Sequence, residues 1–432
     1  MQTLKSRAAA HRDADADAAV EEIVAEIIAA VGARGDEAVR AYSAQLDGWE
    51  PERFRLDPDE IDASLDRVPA QVLEDIAFCQ AQVRRFAQAQ RETMLDLDVE
   101  TLPGVRLGHR HVPVGNVGAY VPGGRYPMVA SAHMSIVTAK VAGVERVAAC
   151  TPPLSGRAPD ATIAAMHLAG ADEIYVLGGV QALAALALGT ETIAPVDFLV
   201  GPGNVYVVEA KRQLFGRVGI DLVAGPTEIL VVADETADPA IVAADLLGQA
   251  EHGPASPAVL VSTSRAVAEE TLRQIEIQLS GLPTADVASR AWQDYGEVVL
   301  VDSDEEALEL ADAYAFEHVE IQTVEPRWYF ERMRNYGALF LGEATTVAYG
   351  DKTIGTNHIL PTSGAARYTG GLWVGKFLKT VTYQECDEPA SAAIGEICAR
   401  QSRIENFEGH ARSCDVRVAK YSVGSAVARE NG

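Results

Sequence analysis

The chain has 432 residues, 48% of them hydrophobic, and a formal net charge of −26 at pH 7. That length suits two or more domains with their own cores, and so acidic a surface excludes nucleic acid and anionic membranes as partners. No apolar run is long enough to span a bilayer, and the opening MQTLKSRAAAHRDADADAAVEE lacks the layout of a secretory signal, which points to the cytoplasm.

The five cysteines (Cys79, Cys150, Cys386, Cys398, Cys414) are odd in number and show no CxxC spacing. They read as reduced and structural, not as a disulfide frame or a thiolate zinc site. Val20, Ile23, Val24, Ile27, Ile28 and Val31 recur at helical spacing until Gly32 closes the run. Further helical patterns cover residues 36–46 and 69–90, with a shorter one opened by Asp57-Pro58. Residues 1–104 therefore read as a helical region without clustered chemistry. From Val105 the pattern turns to strands, VRLGHRHVPVG and then NVGAYVPGG. His109 and His111 alternate with apolar residues, which suits a half-exposed strand face better than a metal pair.

Between residues 130 and 222 strands and helices alternate. Strands fall at 146–150, 173–177, 198–200 and 219–222, and Ala-rich helices at 132–142, 160–168, 181–188 and 205–214. This alternation implies a mostly parallel sheet under helices, with ligands beyond the C-terminal strand ends. Three glycine-bearing turns lie at such ends: Pro122-Gly123-Gly124, Gly178-Gly179 and Gly201-Pro202-Gly203-Asn204. None is a full GxGxxG, because Tyr206 stands at the third glycine position, so dinucleotide binding and ordinary turns both stay open.

A strand at 228–232 leads to a helix begun by Asp238-Pro239 and stopped near His252 by Gly253-Pro254. Gln249 and His252, three apart in its last turn, share a face and offer one oxygen and one nitrogen to a metal; capping of the helix end is the alternative. A second α/β unit continues with strands at 258–262, 297–301 and 338–341, a helix reaching 281 and another from 304. Glu317-His318 closes that last helix and pairs a carboxylate with an imidazole, two groups able to act as general bases. Tyr349-Gly350-Asp351 and the run 355–362 form a glycine-punctuated polar loop of the kind that binds ligands.

AGPTEIL followed by DLLGQAEHG resembles the core signature of the histidinol dehydrogenase family, zinc-dependent and NAD-linked enzymes. The resemblance covers nearly all of the chain after residue 100. It implies an α/β fold with two incomplete Rossmann-like domains, at 105–223 for NAD and 224–378 for metal and chemistry. A helical region (1–104) would precede them, and a C-terminal segment (379–432) would be exchanged in an intertwined homodimer. It implies zinc ligands at Gln249, His252, Asp351 and His410, catalytic residues at Glu317 and His318, and NAD contacts at Tyr120, Gln181 and Asn204. Substrate contacts would fall on Thr227, His358 and Glu405 as well as on Gln249, His252, His318 and Asp351, with Glu405 and His410 reaching into the partner's site.

The chain departs from the histidinol enzymes in its cations. Arg125 in PGGRYP, His133 in ASAHM and Lys352 after Asp351 stand where those enzymes usually carry small, apolar or aromatic residues. Arg367 and Lys376 are weaker additions to the same set. Cations gathered around a binding loop in so acidic a chain suit an anionic substrate; solvated surface positions are the alternative. The replacements resemble those of the family's sulfopropanediol dehydrogenase branch, which oxidises 2,3-dihydroxypropane-1-sulfonate to 3-sulfolactate with two NAD. Arg125, His133 and Lys352 would then meet the sulfonate of an anionic diol. Histidinol oxidation on the same machinery is the runner-up, with a zinc hydrolase and a non-catalytic metal binder behind it.

Overall fold

Helix starts follow the polar residues the sequence supplies. Asp57 accepts the Glu60 N–H at 2.8 Å while the Glu60 carboxylate accepts the Asp57 N–H at 2.9 Å, a reciprocal box that starts the helix Pro58–Arg67. Asn204 and Asp238 cap the helices Val205–Leu214 and Pro239–Ala250 in the same spirit. The computed structural model describes residues 1–8, 14–123 and 127–430, the side chains of 14–17 and 423–430 excepted. Among the described residues, no helix is long and apolar enough to cross a membrane.

The chain separates into two units, Met1–Arg91 with Val114–Phe377, and Glu92–Pro113 with Leu378–Gly432. Strand β1 (Gln2–Lys5) belongs to the first unit, β2 (Leu97–Leu102) and β3 (Val105–Pro113) to the second. The first unit continues with β4 (Asn116–Tyr120), β5 (Arg146–Thr151), β6 (Glu173–Val176), β7 (Phe198–Val200) and β8 (Gly219–Ile220). They form a parallel sheet in the order β6-β5-β4-β7-β8. The chain starts in the middle at β4, winds outward to β6 and returns to β7, so its direction reverses between β4 and β7. On one face the helices Ala14–Arg34, Gly179–Leu188 and Val205–Leu214 bury Val24, Ile27, Leu183, Leu186 and Val207. Each such side chain contributes roughly 1.5–3 kcal/mol.

A second sheet repeats that plan. Strands β9 (Ile229–Ala233), β10 (Ala258–Ser262), β11 (Gly296–Leu300), β12 (His318–Gln322) and β13 (Ala338–Leu341) run parallel in the order β11-β10-β9-β12-β13. The reversal here falls between β9 and β12. β1 is added antiparallel at the β11 edge, Gln2 opposite Leu300. Residues 1–104 are thus not wholly helical; four residues carry too short a pattern to announce a strand, and the partner edge decides. The helix Ala285–Tyr295 has no counterpart among the expected elements.

The last strand, β14 (Leu378–Cys386), pairs antiparallel with β3, and β3 with β2, giving a three-stranded sheet in the second unit. The strand expected to open the first α/β domain at Val105 therefore belongs elsewhere: its polar alternation suits a half-exposed antiparallel ribbon, not a buried parallel strand. Gly104 makes the β2–β3 turn at φ 77°, a conformation glycine adopts without penalty. The helices Glu388–Ile404 and Glu408–Glu430 follow, with Asn406 at φ 60° turning the chain between them.

Candidate active site

The helix Asp304–Tyr314 ends at Ala315 in the left-handed region, so Glu317 and His318 do not close that helix but lead into β12. His318 stands in register with Ile229 of β9, which brings Glu317 beside Glu228 at the heads of two adjacent strands. The two exchange bonds: Glu228 accepts the Glu317 N–H at 3.3 Å, and Glu317 accepts the Glu228 N–H at 3.1 Å. Thr227 donates its hydroxyl to Glu317 at 2.5 Å and accepts from the Gln249 amide. Gly337 permits the close packing behind them, since a Cβ there would lie 2.5 Å from the Glu317 carbonyl oxygen. Burial, with the Glu317 carboxylate added, pushes the Glu228 carboxyl up to about 7.

His318 is buried, with Nδ1 3.1 Å from the Glu228 carbonyl oxygen and 3.4 Å from both Glu317 and Gln249. Nδ1–H donates to that carbonyl, so Nε2 is the nitrogen that would carry the lone pair once the ring is neutral; it is buried without a hydrogen-bond partner, with Asp351 at 3.7 Å. Burial alone would hold the ring neutral, but the carboxylates of Glu317 and Asp351 outweigh it and raise His318 to about 10. Asp351 is correspondingly held down near 2, burial being overcome by His318, His358 and Lys352.

Gln249, His252 and Asp351 line one cavity of about 420 Å³, together with Asp245, Glu251 and Lys352. Gln249 is in the last turn of its helix, which stops at Ala250; His252 is one residue past the cap and exposed. An amide, an imidazole and a carboxylate facing one space are the N and O donors a divalent ion such as zinc accepts, and three of the four expected ligands fit. Among the described residues no three His, Cys, Asp or Glu gather into a metal-holding group, and the fourth candidate is in the other unit. There, Glu405 and His410 are both exposed, His410 ringed at 5.3 Å by Phe407.

His358 bridges the two halves of the first unit, Nδ1 at 3.0 Å from the Asp351 carbonyl oxygen and Nε2 at 3.1 Å from the Ser131 hydroxyl. Of the cations, Lys352 lines the cavity with Nζ 3.8 Å from Asp351. His133 opens a π-turn inside the helical run from Val129 to Ala142, a feature frequent at functional sites. It is buried against Gln80 at 3.2 Å, and burial beside His358 lowers it to about 4, so it is neutral at pH 7. Arg367 binds the carbonyl oxygens of Gly364 and Ala313, and Lys376 the Thr369 hydroxyl; neither lines the cavity. Arg125 lies outside the described residues.

The three expected cofactor residues stand at the C-terminal ends of the first sheet. Tyr120 ends β4 and its hydroxyl accepts the Gly179 N–H at 3.3 Å. Gln181, two residues on, donates to Asp47 at 3.0 Å and keeps a buried amide oxygen without a partner. Asn204 follows the β7 turn and accepts the N–H groups of Tyr206 and Val207, each at 3.1 Å. The β4 and β7 ends flank the reversal point, where ligands of open parallel sheets bind.

A family model described as histidinol dehydrogenase matches residues 10–418. The chain is 60% identical to a histidinol dehydrogenase homolog of Shouchella clausii, over 94% of this chain and 96% of that one. It is 48% identical to the sulfopropanediol 3-dehydrogenase of Ruegeria pomeroyi, over 93% of each. The crystal structure of histidinol dehydrogenase from Elizabethkingia anophelis superposes with a TM-score of 0.89 at 33% identity, covering 93% of this chain and 92% of that one. An α/β dehydrogenase fold is thereby defined. The chain belongs to the histidinol dehydrogenase family and is an oxidoreductase of it.

Glu228, Ser131 and Gln80 had no place among the expected site residues. Glu228 carried a signal: a carboxylate heading the wholly apolar strand Ile229–Ala233 needs partners, and it has them in Glu317 and Ser363. Ser131 and Gln80 carry none in the sequence, since each touches a histidine distant in the chain.

Proposed function

We propose that this cytoplasmic enzyme oxidises the primary alcohol of 2,3-dihydroxypropane-1-sulfonate to the carboxylate of 3-sulfolactate, through the aldehyde, with two NAD. The observation that carries the reading is the Thr227–Glu317–His318–Gln249 network, buried except at the half-buried Thr227, beside a cavity lined by Gln249, His252 and Asp351. Gln249, His252 and Asp351, with His410 from a second copy of the chain, would hold the zinc. When bound, the ion would orient the substrate hydroxyl and draw off the Asp351 charge that keeps His318 protonated.

His318 Nε2, once neutral, would then take the hydroxyl proton, and NAD, when bound, would supply the hydride acceptor. The Nδ1–H bond to the Glu228 carbonyl holds the ring in the tautomer that can do so. In the second half, Glu317 would accept a proton from the water that adds to the aldehyde carbon, the resulting hydrate being the species oxidised when a second NAD is bound. Thr227 and the Glu228 N–H steady the Glu317 carboxylate in that task. Tyr120, Gln181 and Asn204 would receive the dinucleotide. Thr227, His358, and Glu405 from a second copy would contact the substrate, with Arg125 and Lys352 facing the sulfonate. His133, buried and neutral, would serve as a hydrogen-bonding neighbour of that end and not as a charge. The homodimer is supported by the exposure of Leu97, Val99, Val381, Ile404 and Phe407 in the unit that carries Glu405 and His410.

Histidinol oxidation is the second reading. It is favoured by the three carboxylates lining the cavity, Asp245, Glu251 and Asp351, against Lys352 as the one lysine or arginine described there. Turnover of zinc-loaded protein on the two alcohols, followed by NADH formation, separates them. Sulfonate-only turnover at two NADH per substrate is expected; histidinol-only turnover contradicts the substrate assignment and leaves the catalytic one standing.

A further inference from the structure

The first sheet carries a buried ion pair that the chemistry above does not use. Lys211 of the helix Val205–Leu214 meets Asp221, just after β8, with both side chains almost wholly buried. An ion pair without water is a poor source of stability, so its bonding partners are informative. Nearly all of them belong to one residue. Lys211 donates to the Gly201 carbonyl oxygen at 2.9 Å, and Asp221 accepts the Gly201 N–H at 2.9 Å. The other Asp221 oxygen accepts the N–H of Leu222 at 2.7 Å, at the start of the segment leading to Thr227 and Glu228.

Gly201 is where the chain leaves β7 and enters the turn to Asn204. Its φ of 124° lies in the range that favours glycine, and a Cβ would sit 2.0 Å from the Tyr120 carbonyl oxygen. The backbone of the β7 turn is thus pressed against the end of β4, and both its polar groups are held by opposite charges. A turn held in this way cannot rotate a peptide without leaving a buried ion unpaired.

We propose that the Lys211–Asp221 pair is a positioning device for the dinucleotide, fixing the Gly201–Asn204 turn against Tyr120 at the reversal point of the first sheet. This rests on the cofactor reading of Tyr120 and Asn204 given above. Neither Lys211 nor Asp221 touches the dinucleotide in this account; they act through Gly201.

The test is NADH binding by fluorescence titration, which needs neither the metal nor the right alcohol. Lys211→Met alone strands a buried carboxylate and can fail to fold. The double variant Lys211→Met, Asp221→Asn removes both charges, leaves an acceptor for the Gly201 N–H, and removes the donor to its carbonyl. It is expected to melt close to the wild type yet bind NADH about tenfold more weakly, with kcat at saturating NAD little changed. Gly201→Ala, which displaces the turn and leaves the ion pair in place, should weaken NADH similarly and decides the matter if the double variant does not fold. Wild-type affinity in a folded double variant, or in Gly201→Ala, overturns the proposal while the cofactor site stands. A wild-type protein that binds no NADH overturns the cofactor reading and this inference together.

Discussion

The two parallel sheets of the first unit share a strand order and differ in which ends they equip. In the first, polar backbone and glycine gather at the C-terminal ends: Tyr120, Gly179, Gly201 and Asn204 surround the point where the winding reverses. In the second, Glu228, Glu317 and His318 stand at the N-terminal heads of β9 and β12, opposite to the usual placement of ligands in open sheets. One end suits a phosphate-bearing dinucleotide, which needs close backbone approach and little negative charge. The other suits proton transfer, which needs carboxylates and an imidazole held at hydrogen-bonding distance. The same topology carries two different sets of side chains at opposite ends, so topology alone does not reveal which end works.

That division can be broken at either sheet. Removing divalent metal with a chelator should abolish turnover and zinc should restore it, while NADH binding persists; loss of both would mean the two ends are not separable. His318→Asn should lower kcat by about a thousandfold with the dissociation constant for NADH unchanged. Glu317→Gln should slow the second oxidation about a hundredfold more than the first, so that a carbonyl trap collects aldehyde; equal slowing of both steps would deny the assigned roles. Lys352→Met should raise KM for the sulfonate about tenfold and leave histidinol unaffected, sharpening the choice of substrate.

The smallest effect is on stability. Glu228 titrates near 7 in the folded chain against an ordinary 4.5, so the folded state keeps a proton that the unfolded chain has lost. The associated stability is complete below pH 4.5 and fades as pH rises to about 7, by on the order of 3 kcal/mol. Glu228→Gln cannot ionise and should flatten the denaturation midpoint across that interval; an unchanged pH dependence would mean the buried carboxyl at the head of β9 is not the one titrating.

What the sequence disclosed follows from how local each signal is. The helix Val205–Leu214 was read to the residue because Asn204 caps it and the apolar spacing is regular. The strands β7, β10 and β13 were equally clear, short apolar runs bounded by turns. β1 has no local signal because its identity comes from the β11 edge, where Gln2 lies opposite Leu300, and β3 belongs to another sheet than its position in the chain suggests because its partner, β14, begins only at Leu378. Glu317-His318 was placed at a helix end and not at a strand head, since the left-handed Ala315 that separates the two has no sequence signature. Among the candidate site residues, Gln249, His252, Asp351 and Lys352 line one cavity, while His410 and Glu405 are in the other unit. His133 counts as a cation by residue type, but it is buried against Gln80 and carries no charge at neutral pH.

On the proposed function, the cofactor belongs to the C-terminal ends of the first sheet and the chemistry to the N-terminal heads of the second. Amide hydrogen exchange with and without NADH tests this most directly. Protection confined to the segments around Gly179–Gln181 and Gly201–Val207, with Glu317–Gln322 unchanged, is the predicted result. Protection of the β9 and β12 heads, with the first sheet's turns exchanging as before, would contradict it.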